Sequence, residues 1–350
     1  MKLSEVSVDK DFMMSFFKDI INIDSPVGDC DRVLSKIEEY ALKLGFSVTY
    51  DNKSTGYIRI KGVDSSTTHL VTAHVDTLGM MVKSITDEGD LTVVELGGLN
   101  FNSLEGETAD VHTRDGRTYS GLILPKSHSV HVFDDARTMV REPENMLIKL
   151  DEIVSNKEDV KKLGISAGDH ISIRPRFELT KSGFVKSRFI DDKACVATVF
   201  AMLKFLKDNN LKPAYDIVLT FPQSEEIGLG GAYVPNEVSE FVAIDIGLIG
   251  PYMESTEQGV SIFAKDNQGV FDKKLTSKLV NLASEAKTDY SVNVHSYRYG
   301  TDGGSALRGG NNVAIAAFGP GTLCSHGMER THITGLENVA KLLIAYVLSK

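Results

Sequence analysis

Short apolar runs that alternate with long helical stretches constrain the fold of this chain more than any other feature of its sequence. The run from His69 to Val75 is apolar almost throughout, as is typical of a strand that is covered on both faces. Similar runs follow at 216–221, 241–247 and 313–319, with helix-like stretches around them. Strands that alternate with long helices predict an α/β fold with a helix-covered, mixed and largely parallel sheet.

The segment 82–183 has a different pattern. Short alternating runs and turn signals, such as Asp115-Gly116, predict strands that are joined by tight turns. Because 350 residues exceed what one core usually organises, two domains are expected. We therefore predict a discontinuous α/β domain made of residues 1–81 and 184–350, with a small β-rich domain inserted at 82–183.

The charge pattern and the apolar runs argue against several classes of protein. Lys and Arg number 38 against 48 Asp and Glu, and the basic residues are interspersed, so we expect no nucleic-acid partner. The first residues lack a basic segment followed by an apolar run, and no run reaches about 18 apolar residues, so we expect a cytoplasmic protein with no membrane partner. Three widely spaced cysteines, Cys30, Cys195 and Cys324, argue against a disulfide framework or a cysteine-rich zinc site.

Two polar residues, His74 and Asp76, stand at the end of the first apolar run. In an extended strand, residues two apart share a face, so both side chains can point into one crevice at the carboxyl edge of the sheet. A metal-bound imidazole usually has its other nitrogen held by a carboxylate, which Asp76 can supply. A structural histidine beside a solvated aspartate is equally consistent with this fragment alone.

Two acidic pairs lie beside predicted elements. Asp191 and Asp192 precede a predicted helix, where a carboxylate can bridge two cations or simply cap the helix. Adjacent residues point in different directions, so at most one of these two is expected to bind a metal. Glu225 and Glu226 follow the run 216–221, where a division of labour is expected: one carboxylate binds metal and the other takes a proton from the attacking water. An exposed acidic loop is the alternative.

Asp245 and two histidines complete the candidates. Asp245 stands in an otherwise apolar run, where an unpaired charge costs several kcal/mol, so it must pair, protonate or bind a cation. His326 and His332 follow the last apolar run. Together, the five motifs at residues 74–76, 191–192, 225–226, 245 and 326–332 supply histidine and carboxylate ligands for two metal ions that share one aspartate. Ligands of this kind without thiolate favour zinc, cobalt or manganese.

In these motifs, and in the stretches 106–124 and 157–173, the sequence resembles metallopeptidase family 42. This family comprises self-compartmentalising aminopeptidases, some of which carry an older endoglucanase label. The resemblance implies two divalent ions per subunit, zinc or cobalt, and an enzyme that removes N-terminal residues from short peptides. It also implies that the inserted β-rich domain pairs subunits and that six dimers close into a tetrahedral dodecamer.

The resemblance further implies which residue has which role. It assigns one ion to three ligands: His74, Asp191 and Asp245. It assigns the other ion to Asp191, Glu226 and His326. In this scheme Glu225 is the general base, and Asp76 is the partner that orients a metal-bound histidine. Because the run SHGME departs from the family pattern around the last histidine, His332 stays open as an alternative to His326.

Three other functions are weighed against an aminopeptidase. A glycosidase needs two carboxylates that flank a sugar, whereas neighbouring glutamates diverge, and the chain has no tryptophan platform. A binding module that lost its chemistry would normally lack a ligand or the base, and here every position is filled. A related dinuclear carboxypeptidase or amide deacylase would not carry the family-like inserted domain. The departures HVDTLG and YGTDGG concern the substrate pocket, so the preferred N-terminal residue stays open.

Overall fold

The computed structural model describes residues 2–295 and 298–350, which form helices and strands along almost the whole chain. Seven α-helices lie in these residues: α1 Lys10–Ile21, α2 Asp31–Leu44, α3 Lys157–Lys162, α4 Ile190–Asp208, α5 Lys273–Glu285, α6 Asp302–Arg308 and α7 Ile333–Leu348. None of the helices in the described residues is both long enough and apolar enough to cross a lipid bilayer.

The strands of the described residues form two sheets and a closed barrel. In chain order they are β1 Thr49–Tyr50, β2 Gly56–Ile60, β3 Asp64–Thr72, β4 Gly79–Ile85, β5 Leu91–Leu96, β6 Thr108–His112, β7 Thr118–Pro125, β8 Met146–Leu150, β9 His170–Ile173, β10 Glu178–Leu179, β11 Phe184–Ser187, β12 Tyr215–Phe221, β13 Val238–Ile244, β14 Gly247–Leu248, β15 Val260–Lys265, β16 Tyr290–Val294, β17 Ala314–Thr322 and β18 Glu329–His332.

The large sheet has parallel strands at its centre. Its strand order is β1-β2-β12-β3-β13-β17-β15-β16, and β14 pairs with β17 beside this path. The strands β12, β3, β13 and β17 run parallel to one another, while β2 runs antiparallel to β12, and β15 runs antiparallel to β17 but parallel to β16. The predicted α/β class with a mixed, largely parallel sheet is therefore confirmed.

Helices cover this sheet because its strands are apolar on both faces. Leu70 and Val71 of β3 point to opposite faces, and both are buried. Helix α4 is buried along most of its length, as expected of a helix that is apolar all round. The ring of Phe200 in α4 lies 4.2 Å from the ring of Phe16 in α1, and α4 also packs against α7.

The barrel has the closed strand order β4-β5-β8-β7-β6-β9, with all neighbours antiparallel. Its interior is filled by buried aliphatic side chains such as Val93, Val111 and Ile148. A small β-rich unit inserted in the α/β fold is thus confirmed. Its strands span 79–173, whereas the short strands β10 and β11 pair with β18 in a separate three-stranded sheet. The domain boundaries at 82 and 183 stay a prediction.

Four parallel strands of the large sheet end at one edge. Thr72 of β3 lies opposite Thr220 of β12 on one side and Ala243 of β13 on the other. The strand predicted to reach Val75 ends at Thr72, although the backbone of Val75 still donates a hydrogen bond to the carbonyl of Pro222. The segments that follow these strands therefore leave the sheet side by side, where open α/β sheets place their sites.

Candidate functional site

The five predicted metal ligands meet at this edge of the large sheet in two sets that share Asp191. The inner set consists of His74, Asp191 and Asp245, and the outer set of Asp191, Glu226 and His326. Within each set, one nitrogen or oxygen atom of every residue lies within 4.8 Å of the others. All three residues of the inner set are buried, whereas His326 is partly exposed and Glu226, although its side chain is buried, is only partly buried as a whole residue. Both arrangements have the donor atoms and spacing of a cation site.

His74 has its ring fixed by its own loop. Its Nδ1 lies 3.0 Å from the backbone carbonyl oxygen of Asp76. Because a carbonyl oxygen only accepts hydrogen bonds, Nδ1 donates, and in the neutral ring Nε2 then keeps its lone pair. Nε2 lies 3.1 Å from Oδ1 of Asp191, inside the inner set. The ring thus presents the tautomer that a metal ligand requires.

The carboxylate of Asp76 lies beside His74, as predicted, and also contacts the turn of the two glutamates. It lies 3.5 Å from Nδ1 of His74, farther than the carbonyl of the same residue. Its two oxygens accept hydrogen bonds from the backbone amides of Glu225 and Glu226, at 3.2 and 3.1 Å. Asp76, which is fully buried, therefore orients two segments: its carboxylate holds the turn with both glutamates, and its backbone carbonyl holds the ring of His74.

Glu225 and Glu226 point in different directions, as expected for adjacent residues. Oε2 of Glu226 lies 3.5 Å from Nε2 of His326, and its side chain is 3% exposed. Oε2 of Glu225 lies 3.7 Å from Nε2 of His74, and its side chain is 13% exposed. Burial raises the pKa of both carboxyl groups well above their usual range. Glu226 thus belongs to the outer set, while Glu225 stands beside the inner set with access to solvent.

Asp245 follows the last residue of β13 and completes the inner set. Its Oδ1 lies 2.8 Å from the hydroxyl of Tyr299 and accepts a hydrogen bond from the amide of Ile246 at 2.7 Å. Burial, together with the negative charge of Asp191, raises the pKa of Asp245 well above its usual range. Tyr299 is buried, and sequence reasoning did not single it out as a contact of this aspartate.

Glu329 is a buried residue beside the outer set that the sequence analysis did not identify. It is 2% exposed, and its carboxylate accepts hydrogen bonds from the backbone amides of Asp191 at 3.0 Å and His326 at 3.1 Å. One side chain therefore holds the backbone of two residues of the outer set. A signal was present, because this glutamate stands three residues after His326 in the motif, but spacing alone does not show that it is buried.

The structure separates His326 from His332. Nε2 of His326 lies 3.5 Å from Glu226 and 3.8 Å from Asp191. His332 instead caps helix α7, where its Nδ1 accepts a hydrogen bond from the amide of Thr334 at 3.1 Å. Its Nε2 lies 2.9 Å from the carbonyl oxygen of Ser182. Both nitrogens of His332 are thus engaged away from the two sets. Asp192, likewise, lies in neither set.

The charge balance of the two sets fits divalent cations. In the described part of the chain, their carboxylates form ion pairs with histidines only, and none with a lysine or an arginine. Oε1 of Glu226 is buried and finds no hydrogen-bond donor among the described residues. Divalent cations would provide both the balancing charge and the partner that this oxygen lacks. Nitrogen and carboxylate donors without thiolate suit zinc or cobalt.

A cavity of about 340 Å³ opens beside the two sets. Glu225 lines it together with the carboxylates of both sets and His326. The remaining wall is formed by Gly98, Gly228, Asn267, Gln268, Arg298, Tyr299, Gly300 and Arg308. The cavity is therefore lined by Glu225, by most of the candidate metal ligands and by a group of polar residues that includes two arginines.

Comparisons of sequence point to one family. The family model described as M42 glutamyl aminopeptidase matches residues 55–342. The Bacillus subtilis (strain 168) protein named "Putative aminopeptidase YhfE" is 39% identical over 96% of this chain and 97% of its own length. The glutamyl aminopeptidase of Lactococcus lactis is 24% identical over 79% of each chain. The lysyl aminopeptidase of Pyrococcus furiosus is 28% identical over 47% of this chain and 46% of its own.

Solved structures have the same fold. The aminopeptidase APDkam598 of the archaeon Desulfurococcus kamchatkensis superposes with a TM-score of 0.86 over 97% of this chain and 96% of its own, at 24% identity. The TET1 peptidase of Pyrococcus horikoshii, which can assemble into a tetrahedron or a large octahedral shell, superposes with a TM-score of 0.84 over 97% of this chain and 100% of its own, at 22% identity.

Proposed function

The chain belongs to the M42 glutamyl aminopeptidase family, and from that premise we propose that it removes N-terminal residues from short peptides with two divalent metal ions and Glu225 as general base. The resemblance predicted from the sequence is thereby confirmed, and the chain is a hydrolase of peptide bonds that uses divalent metal. The main support for two metal ions and for Glu225 as general base is the pair of ligand sets that share Asp191, with Glu225 beside them at the cavity.

In this proposal each ligand set would hold one ion, zinc or cobalt, and Asp191 would serve both sets. When bound, the ions supply Lewis acidity, which polarises the scissile carbonyl and makes water acidic enough to lose a proton near neutral pH. Asp76 and Glu329 contribute indirectly: both accept hydrogen bonds from the backbone of ligand residues and so hold the sets in place.

Glu225 is the residue in this proposal that moves protons. Its carboxylate lines the cavity, so it can reach both an attacking water and the leaving amine of a bound peptide. Burial raises its pKa, which makes the carboxylate a better proton acceptor than one in solvent. Because its backbone amide is held by Asp76, its position is fixed before substrate binds. The proton that it takes then passes to the new amino terminus.

Removal and replacement of metal test this proposal directly. We expect the purified enzyme to lose activity on aminoacyl p-nitroanilides after chelation and to regain it with zinc or cobalt, with two ions bound per subunit by elemental analysis. Full activity in a metal-free sample would contradict the mechanism. The same preparation distinguishes the alternatives, because a silent binding module has no activity in any metal and a glycosidase cleaves aryl glycosides instead.

The wall of the cavity supports a preference for acidic N-terminal residues. The relatives' names differ on this point, since one is a glutamyl and another a lysyl aminopeptidase. Apart from the ligand sets and Glu225, the charged residues that line this cavity are Arg298 and Arg308, beside the amides of Asn267 and Gln268. Guanidinium groups pair with carboxylates, whereas a lysine side chain would need an acidic wall.

A panel of three p-nitroanilides tests this preference. We expect kcat/KM for the glutamyl substrate to exceed that for the glutaminyl and lysyl substrates by about tenfold or more, since a charge-assisted hydrogen bond contributes about 1.5–3 kcal/mol. Arg308→Ala should lower the glutamyl value and leave the glutaminyl value, which has nearly the same shape without the charge, almost unchanged. A lysyl preference in the wild-type enzyme would contradict the assignment.

We also propose that the barrel pairs two subunits and that six pairs close into a dodecamer. Supporting this, several large apolar side chains of the barrel unit are exposed: Leu122, Val130, Val132, Val140 and Ile153. Light scattering distinguishes the states, because twelve copies of 38.3 kDa have a mass of about 460 kDa and two copies about 77 kDa. A monomer with metal bound would contradict both steps.

A further inference from the structure

The connection between β5 and β6 belongs to the barrel but lies against the outer ligand set. We name residues 97–104 the clamp loop. We propose that the clamp loop is a positioning element for the second metal ion: the carbonyl of Gly98 orients the ring of His326, and Gly97 supports the backbone of Glu226. This inference rests on the proposed metal site and adds to it, since it assigns part of that site to the inserted barrel.

The ring of His326 has little else to hold it. Its side chain is 36% exposed, compared with 2% for His74, and it lies on a loop rather than on a strand or helix. Its Nδ1 lies 2.7 Å from the carbonyl oxygen of Gly98. Because a carbonyl oxygen only accepts, Nδ1 must carry the proton, and the lone pair of Nε2 is left for the outer set. The barrel thus selects both the orientation and the tautomer of this ligand.

The clamp loop is fastened to the α/β domain at further points. The backbone amide of Asn100 donates to the carbonyl of His326 at 3.3 Å. The buried guanidinium of Arg188 donates to the carbonyl of Ser103 at 2.5 Å, close to the start of α4. These bonds join backbone groups of the loop to His326 of the outer set and to Arg188, which stands three residues before Asp191 in the chain. The loop is therefore attached to the α/β domain next to the ligands.

Gly97 packs closely against Leu78 and Glu226, so that a side chain there would require both neighbours to shift. Its φ is +78°, and a Cβ atom there would lie 2.4 Å from Cδ2 of Leu78 and 3.2 Å from both Cβ and the carbonyl oxygen of Glu226. Gly106, at the other end of the same connection, has nearly the same backbone angle, φ +82°, but a Cβ atom there would meet nothing within 4 Å. Substitution of either glycine strains a left-handed backbone, but only substitution of Gly97 also disturbs its close neighbours, so a comparison of the two distinguishes these effects.

The test compares Gly97→Ala with Gly106→Ala in the full-length chain. Each apoprotein is titrated with Co²⁺, and binding is followed by calorimetry and by the visible absorption of the bound ion. We expect Gly97→Ala to bind its second equivalent at least tenfold more weakly, with an altered spectrum for that step, and to bind its first equivalent like the wild type. Gly106→Ala should match the wild type in both steps.

A second variant protects the test against misfolding. Asn100→Pro removes the amide that reaches His326, together with a side-chain oxygen that accepts a long hydrogen bond from Asn102 at 3.4 Å, and the backbone there, with φ −86°, is close to the range of proline. We expect Asn100→Pro to bind its second equivalent of Co²⁺ several-fold more weakly than the wild type. Unchanged second-site binding in both Gly97→Ala and Asn100→Pro, or equal effects in Gly97→Ala and Gly106→Ala, would overturn the inference. A wild-type enzyme that binds fewer than two ions would instead contradict the proposed function, so the two failures are distinguishable.

Discussion

The two ligand sets share Asp191 but are constructed in different ways. The inner set is supported by the core, because His74 and Asp245 follow adjacent parallel strands and are buried. The outer set is assembled from loops, and its histidine is partly exposed and held by a carbonyl of the barrel. The inner set therefore depends on the sheet and on the start of α4, whereas the outer set also depends on how the barrel docks.

The largest expected effect comes from the residue that the two sets share. Asp191→Asn should remove the bridging charge from both sets, so we expect neither ion to be retained and activity to fall by about 10⁴-fold or more. Elemental analysis and steady-state kinetics measure both outcomes. Retention of one ion at full affinity would show that the sets are independent, contrary to the geometry.

The next effect separates the general base from the outer ligand. Glu225→Gln should lower kcat by about 10³-fold and leave two ions bound, because the carboxylate acts on protons rather than on metal. Its neighbour supplies the matched control: Glu226→Gln should deplete the second ion only. Equal loss of metal in both variants would overturn the division of roles between the adjacent glutamates.

A smaller effect is expected for the carboxylate behind the outer set. Glu329→Gln keeps the size of the side chain, but its neutral amide group accepts hydrogen bonds from the two backbone amides less strongly than the carboxylate does. We expect affinity for the second ion to fall by about tenfold, in the range found for residues that orient metal ligands. Calorimetric titration of the apoprotein measures it. If the first ion were affected more than the second, the contact with Asp191 would matter more than that with His326.

The smallest effect is expected for a residue that supports the inner set rather than the outer set. Tyr299→Phe removes the hydroxyl that lies 2.8 Å from Oδ1 of Asp245. One hydrogen bond contributes about 1 kcal/mol, so we expect about fivefold weaker binding of the first ion. Binding of the second ion should be unchanged. A loss confined to the second ion would contradict the assignment of Asp245 to the inner set.

Much of the fold could be predicted from the sequence because its signals are local. Apolar runs covered on both faces and the alternation with helices indicate a parallel sheet, and the change of pattern near residue 82 indicates the inserted β-rich unit. The ends of those runs also pointed to His74, Glu226 and Asp245, since residues that follow neighbouring parallel strands meet at one edge. The structure brings these side chains together, while their roles as ligands remain a proposal.

The local sequence did not determine which groups support those side chains. His326 and Gly98 are separated by 228 residues, and their contact is made by a backbone carbonyl, a group that every residue has. The hydrogen bonds that Asp76 and Glu329 accept also come from backbone amides, which every residue except proline has. The choice between His326 and His332 likewise depends on contacts between segments that are distant in the sequence. The sequence by itself determined the fold class, the family and the set of candidate ligands. Only the tertiary structure decided their orientation, because loop docking depends on distances between segments that have no shared periodicity.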